Sequence, residues 1–210
     1  MRKPVVLSEQ EVSSEAARLI AGLREARLTA KVSGRKVAAQ AGIVQSSVWR
    51  FEVGRVVPRL WQIGRLAHAL GRRLELDDGE RRPRMPLEEK YLWPPGHGFW
   101  PSSRALKSPP EGAGWAVDRV RARIGAELTW ARRWEFDPPL RDEAACELLG
   151  MSHHTLRAVE SGPEWPYLTS VIRVAGLSGR RLALCDLDAH SRRPPWVELP
   201  GPPATGEVIM

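Results

Sequence analysis

A gapless internal match, which lays the middle of the chain on its C-terminal part, constrains this sequence more than any other feature. Gly42 falls on Gly150, Glu52 on Glu160, Gly54 on Gly162, Pro58 on Pro166 and Leu60 on Leu168. Arg65 then meets Arg173, Ala67 meets Ala175, and Gly71-Arg72-Arg73-Leu74 meets Gly179-Arg180-Arg181-Leu182. Conservative pairs lie between them: Ile43/Met151, Val48/Leu156, Phe51/Val159, Ile63/Val171 and Leu66/Val174. Turn-making and apolar residues agree together, and internal repetition of this kind governs a whole fold. The reading is two copies of one fold, at 7–77 and 118–188, and 210 residues suit one large or two small domains.

The connector, 78–117, holds Pro83, Pro86, Pro94-Pro95, Pro101 and Pro109-Pro110 with Gly96, Gly98, Gly112 and Gly114. That density opposes long helices. It also carries Tyr91, Trp93, Phe99, Trp100 and Trp115, more aromatics than a free linker holds. Part of it is therefore expected to pack on a domain. The tail, 189–210, is Pro-rich and expected to be irregular. The net charge of +7 divides into +8 over residues 1–76, 0 over 77–119 and −1 over 120–210. A basic excess points to an anionic partner, nucleic acid first, and here it is concentrated in the first third.

In the first copy, Ser8-Glu9-Gln10-Glu11 has the form of a capping box. Val12, Ala16, Leu19, Ile20, Leu23 and Ala26 follow at helical spacing and predict helix 1 to about Arg27. Ser33 or Gly34 can start helix 2, near 35–41, and Gly42 supplies the left-handed turn that ends it. Helix 3 is predicted at 45–53, stopped by Gly54. Helix 4 is predicted from Pro58, with Leu60, Ile63, Leu66, Ala67 and Leu70 on one face and Gly71 closing it. Leu74 and Leu76 lie on a short fifth element.

The run from Val37 to Gly54 resembles the helix-turn-helix of the lambda-repressor/Cro superfamily, often called the XRE family. The resemblance rests on Ala38, Gly42, Ile43, Val48 and the Glu52-x-Gly54 ending, then a proline after a short gap and the helix end Ala67-His68-Ala69-Leu70-Gly71. It covers most of the first copy. It implies an all-α fold: two tandem bundles of four or five helices each. Ala38, Ile43, Val48 and Phe51 would bury the joint between helices 2 and 3. Val44, Gln45, Ser46, Trp49 and Arg50 would then form the outer face that, in this family, enters the major groove. Gln45 suits adenine, and Arg50 suits guanine or phosphate. Trp49 can touch a thymine methyl, pack on a phosphodiester stem, or meet a neighbouring domain. Arg35, Lys36, Arg55 and Arg59 are placed to meet phosphates.

In the second copy, Asp118 is a candidate cap for a helix carrying Val120, Ile124, Leu128, Ala131 and Trp134, and Asp142 for helix 2. Ser152 would cap helix 3. His153, His154 and Arg157 replace Gln45, Ser46 and Trp49, while Ala158 replaces Arg50. Ser152, His153, His154, Arg157 and Arg141 are the candidate DNA contacts, with Arg180 and Arg181 as further cations. Asp142, Glu143 and Glu147 are repulsive toward phosphate. This copy therefore reads DNA with its recognition helix alone or has turned to protein contact.

The expected function is a sequence-specific regulator of transcription, a repressor of chromosomal, plasmid or phage type. It would read a composite, asymmetric site on double-stranded DNA. The alternative is a homodimer, antitoxin-like, in which only the first copy binds DNA. An enzyme is disfavoured: Asp77-Asp78 and Asp186-x-Asp188 with His190 are the only carboxylate groupings of interest, and no Walker loop, nucleophile elbow or zinc signature occurs. No catalytic residue, metal, cofactor, small-molecule ligand or membrane contact is expected. Cys146 and Cys185 are expected as buried thiols rather than a disulfide. With no apolar leader-like stretch, a cytoplasmic, nucleoid-associated protein is expected.

Overall fold

The computed structural model describes residues 3–77, 113–160 and 166–186, with the backbone alone for 113–123. The connector aromatics Tyr91, Trp93, Phe99 and Trp100, the tail 189–210, and Asp78, Asp188 and His190 lie outside the described residues. The elements in order are α1 (Glu9–Thr29), α2 (Gly34–Ala41), α3 (Gln45–Glu52), α4 (Leu60–Ala69), β1 (Arg72–Asp77), α5 (Ala113–Trp134), α6 (Asp142–Leu149), α7 (His153–Glu160), α8 (Leu168–Leu177) and β2 (Arg181–Asp186).

The local code holds well in the first half. The Ser8 hydroxyl accepts from the Glu11 amide at 3.3 Å, and the Glu11 carboxylate accepts from the Ser8 amide at 2.7 Å. That amide and hydroxyl hold the Glu11 carboxyl below its usual range. Val12, Ala16, Leu19 and Leu23 form the buried stripe of α1. Ser33 caps α2 through the Lys36 amide. Gly42 and Gly150 end α2 and α6 with φ of +63° and +58°, where a side chain would be strained. Pro58 precedes α4 instead of opening it; Arg59 is the capping position, its amide donating to Gln62 Oε1 at 2.9 Å.

Several expectations need correction. The fifth element is a strand: the fold is mostly helical, as expected, but it adds a small two-stranded sheet. From Arg73 to Asp77 polar and apolar residues alternate, and Leu74, Glu75, Leu76 and Leu182 are buried. β1 pairs antiparallel with β2, from Arg72 opposite Asp186 to Asp77 opposite Arg181. A strand needs a partner, and this one comes from the far end of the other half. Asp118 lies inside α5 and not at its start, because α5 already begins at Ala113, ahead of the expected boundary at 118. Asp142 is the first residue of α6, and Arg141 takes the capping position without a side-chain bond. Trp134 is 71% exposed; Ile124, Leu128 and Ala131 keep the buried stripe, and Phe136 supplies the aromatic that enters the core.

The two halves share one core. Val12, Leu19, Leu60, Ile63 and Leu74 join Ile124, Leu128, Leu168, Val171 and Leu182 in a single cluster. α4 packs on α5, and reciprocally α1 packs on α8. The Leu60 amide donates to the Pro166 carbonyl at 2.9 Å, and the Leu168 amide donates to the Pro58 carbonyl at 3.0 Å. Near the N-terminus, the Val5 amide donates to the Leu177 carbonyl, and Arg173 holds Glu9.

Candidate nucleic-acid interface

The α2–α3 pair is fixed by its inner residues. Val37, Ala38, Ala41, Val48 and Phe51 are buried and Ile43 is partly so, which clamps α3 against α1 and α2. The remaining side of α3 is left to solvent: Val44, Gln45, Ser46, Trp49 and Arg50 are all exposed. Trp49 is half exposed, with the Arg55 guanidinium 4.9 Å from its ring centroid. That contact holds a cation and an aromatic side by side on the rim of the face. Arg35 and Lys36 are exposed on the first turn of α2. Arg59 is half-buried, and its guanidinium lies 4.6 Å from the Tyr167 ring centroid, where the halves meet.

The second half repeats this geometry with other chemistry. Ser152 caps α7 by accepting from the Thr155 amide at 3.1 Å. Ser152, His153, His154 and Arg157 are exposed, but Ala158, at the position of Arg50, is buried. Arg141, Glu143 and Glu147 are exposed on or beside α6. Arg180 is removed from the set of available cations, because its guanidinium is paired bidentately with Glu135 in a largely buried bridge.

One device that orients both exposed helices has no local signal in the sequence. Glu52 and Glu160 are the last residues of α3 and α7, where a carboxylate opposes the helix dipole. Each is gripped by an arginine from the long helix of its half. Arg27 Nε and Nη2 donate to the Glu52 carboxylate at 2.7 and 2.8 Å, and Nη1 donates to the Val32 carbonyl. Arg132 Nε and Nη2 donate to Glu160 at 2.6 and 2.8 Å, and Nη1 donates to the Leu140 carbonyl. Arg132 also meets Asp142 at 2.8 Å, so one of the three acids counted against phosphate is already neutralised. Burial opposes the charge of Arg132, but Glu160 and Asp142 outweigh it and raise its pKa. The loop between α5 and α6 is longer than the one between α1 and α2, so Arg132 stands further from Glu160 in sequence than Arg27 does from Glu52. The register that lays Glu52 on Glu160 therefore lays Arg27 on Glu135 instead of Arg132, and this slip conceals the pairing.

α5 also crosses α7 closely. A Cβ on Gly125 would collide with the Glu160 carbonyl oxygen. Gly125→Ala should therefore push α5 off the end of α7 and cost about 1–3 kcal/mol, as overpacking does. A thermal melt of the variant measures this, and an unchanged Tm would contradict the close crossing.

Residues 18–78 match the family model of a helix-turn-helix domain. The matched range takes in the C-terminal part of α1, α2, the Gly42 turn, α3 and α4. Such a domain suggests a DNA-binding regulator. Comparison with curated proteins and comparison with solved structures gave no match. Cys146 is buried and Cys185 is half-buried, and neither forms a disulfide. Burial, with Asp142 nearby, pushes the Cys146 pKa up, as suits a packing residue. Among the described residues no cluster of His, Cys, Asp or Glu could hold a metal ion, and no helix is long and apolar enough to cross a membrane.

Proposed function

We propose that the chain is a sequence-specific regulator of transcription that binds double-stranded DNA in the cytoplasm, acting as a repressor through two XRE-like modules in tandem. The exposed face of α3 carries the proposal. Gln45, Ser46, Trp49 and Arg50 stand exposed on a helix locked from behind, next to Arg35, Lys36 and Arg55, inside the matched helix-turn-helix domain. A side chain held on a rigid element can discriminate bases, since each bidentate pair is worth about 1–3 kcal/mol. The surrounding arginines and lysine add affinity without sequence preference. No catalytic step and no cofactor belong to this reading. Asp186 is paired with Arg72 at 2.5 Å, and Asp77 stands opposite Arg181 in the ribbon.

The test is selection of binding sites from random duplexes with the full chain, followed by Kd measurements for variants. Gln45→Ala and Arg50→Ala should each weaken the selected site by roughly 5–150-fold, and the preference should relax at one base pair. Lys36→Ala should weaken all duplexes about equally and flatten the salt dependence. Failure to enrich any sequence above bulk DNA would sink the reading.

A second reading has its own support. Glu143 and Glu147 are exposed beside α7, and Ala158 offers nothing at the position of Arg50. In that reading α7 serves protein contact, and the first half alone binds DNA. Replacing His153, His154 and Arg157 together by alanine separates the two: a loss of at least about tenfold favours two reading helices, and an unchanged Kd favours one.

A further inference from the structure

Two pairs of residues in this fold face their own counterparts in the internal repeat. Arg59 and Tyr167 form an isolated antiparallel bridge, flanked by the reciprocal bonds between Leu60 and Pro166 and between Leu168 and Pro58. In the ribbon, Glu75 stands opposite Ala183. An element that meets its own equivalent, with the bonds on either side exchanged, lies on a two-fold axis. Two such points define the line of that axis. The helix packing obeys it as well, since α4 lies on α5 while α1 lies on α8. A direct head-to-tail arrangement would pair unlike positions and would leave one of each set of bonds unmade.

We propose that one chain reads one duplex as its own pseudo-dimer, over two unlike half-sites set in inverted orientation. This rests on the DNA-binding reading above and adds the geometry and stoichiometry of the site. Reading helices related by a two-fold meet equivalent groove positions only where that axis coincides with a dyad of the duplex, which places the half-sites in opposite directions. The arms differ because the faces differ: Gln45, Ser46, Trp49 and Arg50 on α3, against His153, His154 and Arg157 on α7. The asymmetric operator expected from the unlike faces and the inverted layout expected from the two-fold are therefore one site. The surfaces that mate the halves, β1 with β2 and the Pro58–Leu60 segment with its counterpart, are occupied within the chain, so one chain per duplex suffices.

The experiment uses the full-length chain and duplexes selected from random sequence. Three synthetic duplexes follow from the selected site: the site itself, the same site with one arm reversed into direct orientation, and one arm alone. The complex is weighed by native mass spectrometry. The expected result is two unlike inverted arms and one chain per duplex. Reversing an arm should lower affinity about 100-fold or more, to the single-arm level, because the linked second contact is lost. Equal binding to the direct arrangement, a selected site with one arm only, or two chains per duplex would overturn the inference. If those outcomes keep their sensitivity to Gln45→Ala, DNA recognition by α3 still stands; absence of any enriched sequence overturns both.

Discussion

Arg132→Ala is expected to destabilise the protein by about 3–5 kcal/mol, the cost of leaving a buried charge without its partner. Arg132 is 2% exposed, and the Glu160 side chain it grips is 7% exposed. The variant strands Glu160 at the end of α7, frees Asp142, and leaves the Leu140 carbonyl without its donor. For a chain of this size the loss corresponds to a fall in Tm of roughly 6–20 °C. The equivalent change in the other half, Arg27→Ala, should cost less. Its pair is more open, with side chains 14% and 18% exposed, and solvent can rehydrate Glu52. The double variant Arg132→Met with Glu160→Leu should recover most of the stability, since apolar replacement of a buried pair is often neutral. Paired thermal melts decide the matter. Equal costs for Arg132→Ala and Arg27→Ala would contradict the burial argument.

Leu168→Ala should have the next largest effect, about 2–5 kcal/mol, and should be felt in both halves at once. Leu168 is fully buried, and its amide crosses to the Pro58 carbonyl. It sits in a core that runs without a break into Leu60, Ile63 and Leu74 of the first half. A protein of two independent domains would lose the second half alone. Here unfolding should stay a single transition, lowered in midpoint by every probe. Hydrogen exchange of α4 amides is the sensitive readout, because they belong to the half that was not mutated. Unchanged protection there, with faster exchange confined to α8, would show that the halves unfold separately.

These expectations show where the sequence is readable. Helices α1 to α4 are legible from local chemistry: a capping box at Ser8, left-handed glycines, and apolar residues at helical spacing. The outer face of α3 is legible too, because burying Ala38, Val48 and Phe51 leaves only one side for Gln45, Trp49 and Arg50. Asp118 and Trp134 mislead because helix ends, and burial where the chain turns, depend on what packs there. Local pattern sets Arg59 and Arg180 among the free cations. Their partners, Tyr167 and Glu135, are remote in sequence, and no local pattern names them.

The sequence by itself determined the repeated turn at Gly42 and Gly150, the residues on the exposed face of α3, and the concentration of positive charge in the first third. Each is a short-range property, set by backbone freedom, helical periodicity or composition. Only the tertiary structure decided that Leu74 and Leu76 lie on a strand, that Arg27 and Arg132 pin α3 and α7, and that the halves meet through reciprocal contacts. Strand pairing, buried ion pairs and symmetry all depend on partners remote along the chain, and the longer loop ahead of α6 hid even the equivalence of the two arginines.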